Sequence, residues 1–259
     1  MINFGDQRLV RSESGAAERF LFRIMGVADP AHYLHGIYFQ RELNRLGDFY
    51  PSNILDAGCG AGDYTFYLAR RYPRSNVLGV DINDRWIKKN RETAIQLGIS
   101  NVQFQCHDMS GDDYQTQFDL VVSVDVLEYI ADKKIAMELL FQAMKPKAMV
   151  FFHIPTIRER PAPFSRWSAK ENPIKKLSAD EFLTIVRNTG LEIQRFHRTF
   201  GLFTGELATG LYALHNASNK FNREICAFLA FPCRLLASAD TLNIERTRYA
   251  VAVLAQKPD

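Results

Sequence analysis

The chain has 259 residues, 47% apolar and 12% aromatic, enough to bury a large core around one domain with an elaboration, and no disulfide framework is needed. Its 32 basic and 29 acidic residues leave a net charge of +3, too small to supply a phosphate-tracking surface, so nucleic acid is not an expected partner. Four cysteines, Cys59, Cys106, Cys226 and Cys233, lack both the C-x-x-C spacing of a zinc ribbon and the density of a secreted scaffold, which fits a reducing cytoplasm.

The opening stretch, MINFGDQRLVRSESGAAER, has no apolar run of the kind a secretory signal needs. Residues 1–50 read as a helical cover, in which Phe20, Leu21 and Met25 form one apolar set. Tyr38, Leu43 and Leu46 belong to a helix opening near Asp29-Pro30. From about Ser52 strands and helices alternate, the mark of a parallel sheet covered on both faces. Strands are predicted over Ile54–Ala57, Val77–Val80, Val102–Cys106, Leu120–Val124 and Ala148–Ile154. The helices between them carry Tyr64, Tyr67 and Leu68; then Ile87, Ala94 and Ile95 after an Asn83 cap; then Ile135, Leu139 and Leu140.

A proline-rich stretch from Pro155 to Leu177 has the length of a binding loop. Ser178-Ala-Asp-Glu181 is a capping box, and Gly190 closes the helix it opens. Strands are predicted over Leu191–Phe200 and Thr247–Leu254, with a helical insertion between them. The expected fold is α/β, a doubly wound, mostly parallel seven-stranded sheet. Its core spans residues 51–200 and 243–259, and residues 201–242 form a second cover. The apolar run from Ile225 to Ala239, broken by Pro232 and Arg234, falls short of the roughly 20 residues that span a bilayer.

Asp56-Ala-Gly58-Cys59-Gly60-Ala-Gly62 lies between a strand and a helix, where missing Cβ atoms let free amides approach a ligand. About twenty residues further on, Asp81 ends the second strand, where a carboxylate accepts the hydroxyls of a ribose in doubly wound nucleotide sites. Asp108 ends the third strand and could accept from a purine amine; Ser123-Val124-Asp125 ends the fourth. All lie at the carboxyl ends of parallel strands, the edge at which open α/β sheets bind ligands. The glycine spacing is G-x-G-x-G, which argues against the G-x-G-x-x-G of an NAD-dependent oxidoreductase, and no G-K-[ST] follows.

ILDAGCGAGDYT, VLGVDIN, FQCHDMS, FDLVVSVDVLEYI and MKPKAMVFFHIP together resemble the successive motifs of class I S-adenosylmethionine-dependent methyltransferases, in the branch typified by ubiquinone- and menaquinone-biosynthesis enzymes. The resemblance implies S-adenosylmethionine as cofactor. It assigns the loop, Asp56, Gly58, Cys59 and Gly60, to the methionine part, Asp81 to the ribose, and Ile82, Asp108 and Met109 to the adenine. Ser123 and Val124 would meet the amino-acid end through their backbone. The family's Lys-Pro-Gly-Gly turn is here Lys145-Pro146-Lys147-Ala148, which puts the geometry of that turn in question.

Methyl transfer to oxygen or carbon calls for a base, and His153, Asp125 and Glu128 are the candidates near the ligand edge. Each also has a structural reading: a strand-end histidine satisfied by hydrogen bonds, or acids favouring the start of the fourth crossover helix. No metal motif appears, and His32 with His35 reads as a helix surface. Tyr33, Tyr38 and Phe39 in one cover, and Phe203, Leu207, Leu211 and Tyr212 in the other, fit either a bulky apolar acceptor or helices that bury one another. The expected substrate is a small molecule such as a quinone, lipid or saccharide intermediate. Ile225–Leu236 offers a peripheral membrane contact for a lipid-linked one. A cofactor-binding partner subunit without transfer activity is the non-enzyme alternative.

Overall fold

The computed structural model describes Val10 and residues 30–111, 113–114, 117–157, 177–199 and 250–259. In chain order the elements are α1 (Pro30–Arg45), β1 (Asn53–Ala57), α2 (Asp63–Arg71), β2 (Asn76–Asp81), α3 (Asp84–Leu97), β3 (Val102–Cys106), β4 (Phe118–Val124), a 3-10 turn (Leu127–Tyr129), α4 (Lys133–Ala143), β5 (Met144–Pro155), α5 (Ala179–Asn188), β6 (Glu192–Thr199) and β7 (Ala250–Gln256). The sheet order is β3-β2-β1-β4-β5-β7-β6, with β7 antiparallel to both its neighbours and every other pair parallel. The order reverses between β1 and β4, which opens a crevice at the carboxyl ends of those two strands.

Alternation along the central strands decides which side chain meets which helix layer. Ile54, Leu120, Val122 and Phe151 face α1 and α2, where Phe39 sets its ring 5.0 Å from Tyr64 and 5.2 Å from Phe151. On the other face Val121, Val150 and Phe152 pack with Met137 and Leu140 of α4 and with Phe182 and Val186 of α5. Buried Glu42 fastens α1 to the edge strand: Arg45 donates to its Oε1 at 2.8 Å, and Arg195 Nε stands 3.3 Å from Oε2. No helix among the described residues is long and apolar enough to cross a membrane.

Caps read from the sequence are present. Asn83 accepts the amide of Arg85, and Ser178 and Glu181 complete a capping box. Two predicted helix faces are corrected. Ile95 is 82% exposed, because the inner face of α3 is built from Ile87, Asn90, Thr93 and Ala94. Ile135 is exposed and Leu139 only half-buried, since Ala136, Met137, Leu140 and Ala143 form the inner face of α4. Glu128 does not flank the start of that helix. It sits in a separate 3-10 turn, and Asp132 caps α4 through the amides of Lys134 and Ile135. Predicted features involving residues 1–29 other than Val10, 158–176 and 200–249, and the side chains of His32, Tyr33 and His35, lie outside the described residues.

β5 begins earlier than expected and runs through the Lys145–Ala148 turn, with a register shift against β4. Lys147 holds φ at +62°, a left-handed conformation that favours glycine. A lysine there costs about 1 kcal/mol. Lys147→Gly is therefore expected to raise stability by about 0.5–1 kcal/mol, read as a shift in the urea midpoint at constant slope. An unchanged or lower midpoint would mean that the turn carries no strain.

Candidate active site

The glycine loop leaves β1 at Ala57 and turns into α2 over Asp63. Gly58 and Cys59 both donate their amides to the carbonyl of Val80, at 2.8 and 2.7 Å. Gly58 is left-handed, and a Cβ there would stand 2.3 Å from the side chain of Val126, so only glycine fits. A Cβ on Gly60 would meet nothing within 4 Å, which leaves its backbone open toward the crevice. Asn90 of α3 donates to the Gly60 carbonyl at 2.8 Å and pins the loop from the helix side.

Asp81 is half-buried, and its two oxygens accept one amide each: Gly60 at 2.8 Å on Oδ2 and Asn83 at 2.8 Å on Oδ1. A carboxylate offers about four acceptor positions, so two remain for a diol. Beside it Ile82 is 70% exposed, an apolar surface at the rim. Across β3, Asp108 accepts the amide and hydroxyl of Ser110, which hold its carboxyl below the usual range. Met109 is buried next to it. His107 is also buried, and its ring lies 4.3 Å from that of Tyr114.

Two loop side chains do not line the crevice. Asp56 is 1% exposed and lies beneath the loop, where it accepts the hydroxyl of Thr65. Cys59 is buried, and its thiol is pushed up by burial and by Asp56 and Asp81. The loop therefore turns its backbone, and not these two side chains, toward the crevice. Ser123 is fully buried too, and its Oγ has no hydrogen-bond partner among the described residues, so β4 presents its backbone there.

The candidate bases separate. Asp125 has φ +55° and donates its amide to the His153 carbonyl at 2.9 Å. Its Oδ1 lies 2.6 Å from His153 Nδ1, and His153 Nε2 lies 2.9 Å from the hydroxyl of Thr199. Glu128 is buried in its turn. Lys133 lies nearby, lowered by burial against the pull of Glu128. Thr65, Asn90, Val126 and Thr199 went unnoticed in the sequence. Asn90 alone carried a signal, as a polar residue one turn beyond Ile87 on the inward face of α3.

A family model described as a methyltransferase domain matches residues 51–200. A Photorhabdus laumondii protein named ubiquinone biosynthesis O-methyltransferase is 26% identical over 148 residues, which is 57% of this chain and 60% of that protein. Among solved structures, Haemonchus contortus phosphoethanolamine N-methyltransferase 2 in complex with S-adenosyl-L-methionine superposes with a TM-score of 0.66 at 18% identity, over 94% of this chain and 56% of that one. Coclaurine N-methyltransferase bound to N-methylheliamine and S-adenosylhomocysteine gives 0.62 at 14% identity, over 85% of this chain and 72% of the other. The sheet and its carboxyl edge are those of a Rossmann-like class I methyltransferase. The chain belongs to the methyltransferase domain family, whose methyl donor is S-adenosylmethionine.

Burial pushes the Asp56 carboxyl up to about 7; Thr65 opposes this, while Asp81 and Asp63 raise it further. In the unfolded chain an aspartate titrates near 3.9. Between roughly pH 4 and pH 7 the folded state thus holds a proton that the unfolded state has lost, and stability falls as pH rises, by at most about 1.4 kcal/mol per unit. Above the folded value the effect levels off. Asp56→Asn should flatten this slope in cofactor-free protein, so that the variant gains on the wild type from pH 5 to pH 8 in urea unfolding. Parallel pH profiles would contradict the assignment.

Proposed function

We propose that the protein transfers a methyl group from S-adenosylmethionine to the oxygen or carbon of a small-molecule acceptor. The observation that carries this reading is Asp81, which grips the amides of Gly60 and Asn83 and keeps two acceptor positions beside exposed Ile82. Acids surround the same edge: Asp63, Asp81, Asp108, Asp125 and Glu128. Their field favours a cationic cofactor and opposes the pyrophosphate of a dinucleotide. This weighs against the NAD-dependent alternative.

In this reading the backbone of the glycine loop and the β4 backbone at Ser123 and Val124 lie against the amino-acid end. Asp81 takes the ribose hydroxyls, while Ile82, Met109 and Asp108 enclose the adenine. When bound, the cofactor supplies a methyl on a positively charged sulfur, already activated for displacement. The protein's share is alignment, exclusion of water and care of the acceptor's proton, for which Asp125, His153 and Glu128 are the groups at hand. Residues 1–50 and 201–242 act as the substrate covers in this account. The O-methyltransferase name of the Photorhabdus laumondii relative supports an oxygen acceptor, and an apolar or lipid-linked acceptor would be met at a membrane surface.

Calorimetry with S-adenosylhomocysteine tests the cofactor site. The wild type should bind, and Asp81→Asn should bind about 10- to 100-fold more weakly, because one acceptor oxygen becomes a donor. Incubation with isotopically labelled cofactor and separate soluble and membrane extracts should then yield a labelled small molecule. A folded protein that binds no S-adenosylhomocysteine would overturn the proposal.

A further inference from the structure

Asp125, His153 and Thr199 come from three elements that are not adjacent in the chain, yet they form one line of hydrogen bonds across the carboxyl edge. His153 pairs with Val124 in β4 and with Ala252 in β7, so its ring lies on the face covered by α1 and α2. Thr199 closes β6, on the far side of β7. The two distances, 2.6 Å to Asp125 and 2.9 Å to Thr199, engage both ring nitrogens.

The chemistry of these partners orders the chain. A carboxylate has no proton to give, so Nδ1 carries the hydrogen and donates to Asp125 Oδ1. With Nδ1 protonated in the neutral ring, Nε2 is an acceptor and Thr199 donates its hydroxyl to it. The same order of groups activates the nucleophile of serine hydrolases. Here Thr199 has no exposed surface, so no carbonyl carbon can approach it. Hydrolysis is thereby excluded, and a positioning role is left.

Exposure selects the member that meets the acceptor. The His153 side chain is 2% exposed and that of Asp125 is 30%. Asp125 also holds a left-handed backbone, uncommon for a residue with a Cβ. Its amide bond to the His153 carbonyl and its side-chain bond to the His153 ring fix that conformation from two sides. Strain of this kind is kept where the surroundings over-determine a residue, and here they aim one carboxylate.

Resting on the methyl-transfer reading, we propose that Asp125, and not His153, is the group that meets the acceptor and receives its proton. His153 and Thr199 are positioning residues that fix the carboxylate. The acceptor is accordingly a molecule that presents an O–H at the methylated atom, the oxygen case of that reading. As that atom forms its bond to the methyl carbon and the bond from carbon to sulfur breaks, the hydrogen passes to the Asp125 carboxylate. The carboxylate then releases the proton to water. The products are the methylated acceptor, S-adenosylhomocysteine and one proton.

Nitrogen NMR of the His153 ring in the full-length protein at pH 7 reads the first half of the claim. A ring carrying its hydrogen on Nδ1 is expected in the wild type and in Thr199→Val alike, because Asp125 fixes it. Variants read the second half. Asp125→Asn keeps an oxygen for Nδ1 to bond and tolerates the left-handed backbone. It should therefore retain its unfolding midpoint and its S-adenosylhomocysteine affinity while labelled-methyl transfer into cell extract falls at least about 100-fold. His153→Asn keeps a donor toward Asp125 and should lose about tenfold, whereas His153→Phe should lose as much as Asp125→Asn. A ring protonated at Nε2, or His153→Asn as inactive as His153→Phe with Asp125→Asn near wild type, overturns the proposal. Calorimetry separates the two readings: product binding retained with the variants misordered places the failure here, and no binding by the wild type overturns both.

Discussion

The carboxylate of Asp81 is the point on which the site depends. By accepting the amides of Gly60 and Asn83, it joins the loop that follows β1 to the turn that follows β2. Such charge-assisted bonds are worth about twice neutral ones, and they hold a loop whose glycines supply no side chain of their own. Asn90 closes the arrangement from α3 by its bond to the Gly60 carbonyl. The loop is therefore fixed before any ligand arrives, and little binding energy is spent on ordering it.

The sheet order supplies the rest of the setting. Because β1 stands between β2 and β4, the glycine loop, the Asp81 turn and the end of β4 open on one crevice. The acids gathered there would repel one another and any phosphate, and such a cluster is stabilised by a cationic partner. Asp56 marks the cost: buried under the loop beside Asp63 and Asp81, it keeps its proton to about pH 7. The hydrogen bonds running from Asp125 through His153 to Thr199 extend the same edge across β7 to β6.

Much of this was legible in the sequence because it depends on local spacing. Alternating strands and helices, the glycine string and acids at strand ends are each set within a few residues, and the seven-stranded sheet follows from them. What could not be read was long-range. Asn90 lies 30 residues from Gly60, and Thr199 lies 46 from His153. The latter pair meets only because β7, from the end of the chain, inserts between β5 and β6. The errors at Ile95 and Ile135 have another cause. Small and polar residues such as Asn90, Thr93 and Ala136 took the inner helix faces, so apolar character alone pointed to the wrong side. Lys147 likewise adopts a conformation that its residue type does not announce.

The central claim is that one edge of the sheet forms a single nucleoside cradle. Backbone amide NMR of the full chain titrated with S-adenosylhomocysteine tests it most directly. The account predicts saturable shifts at Gly58, Gly60, Ile82, Met109 and Val124, with Asn53, Asn76 and Lys145 at the opposite edge unchanged. Shifts confined to another surface, or none at saturating ligand, would contradict it.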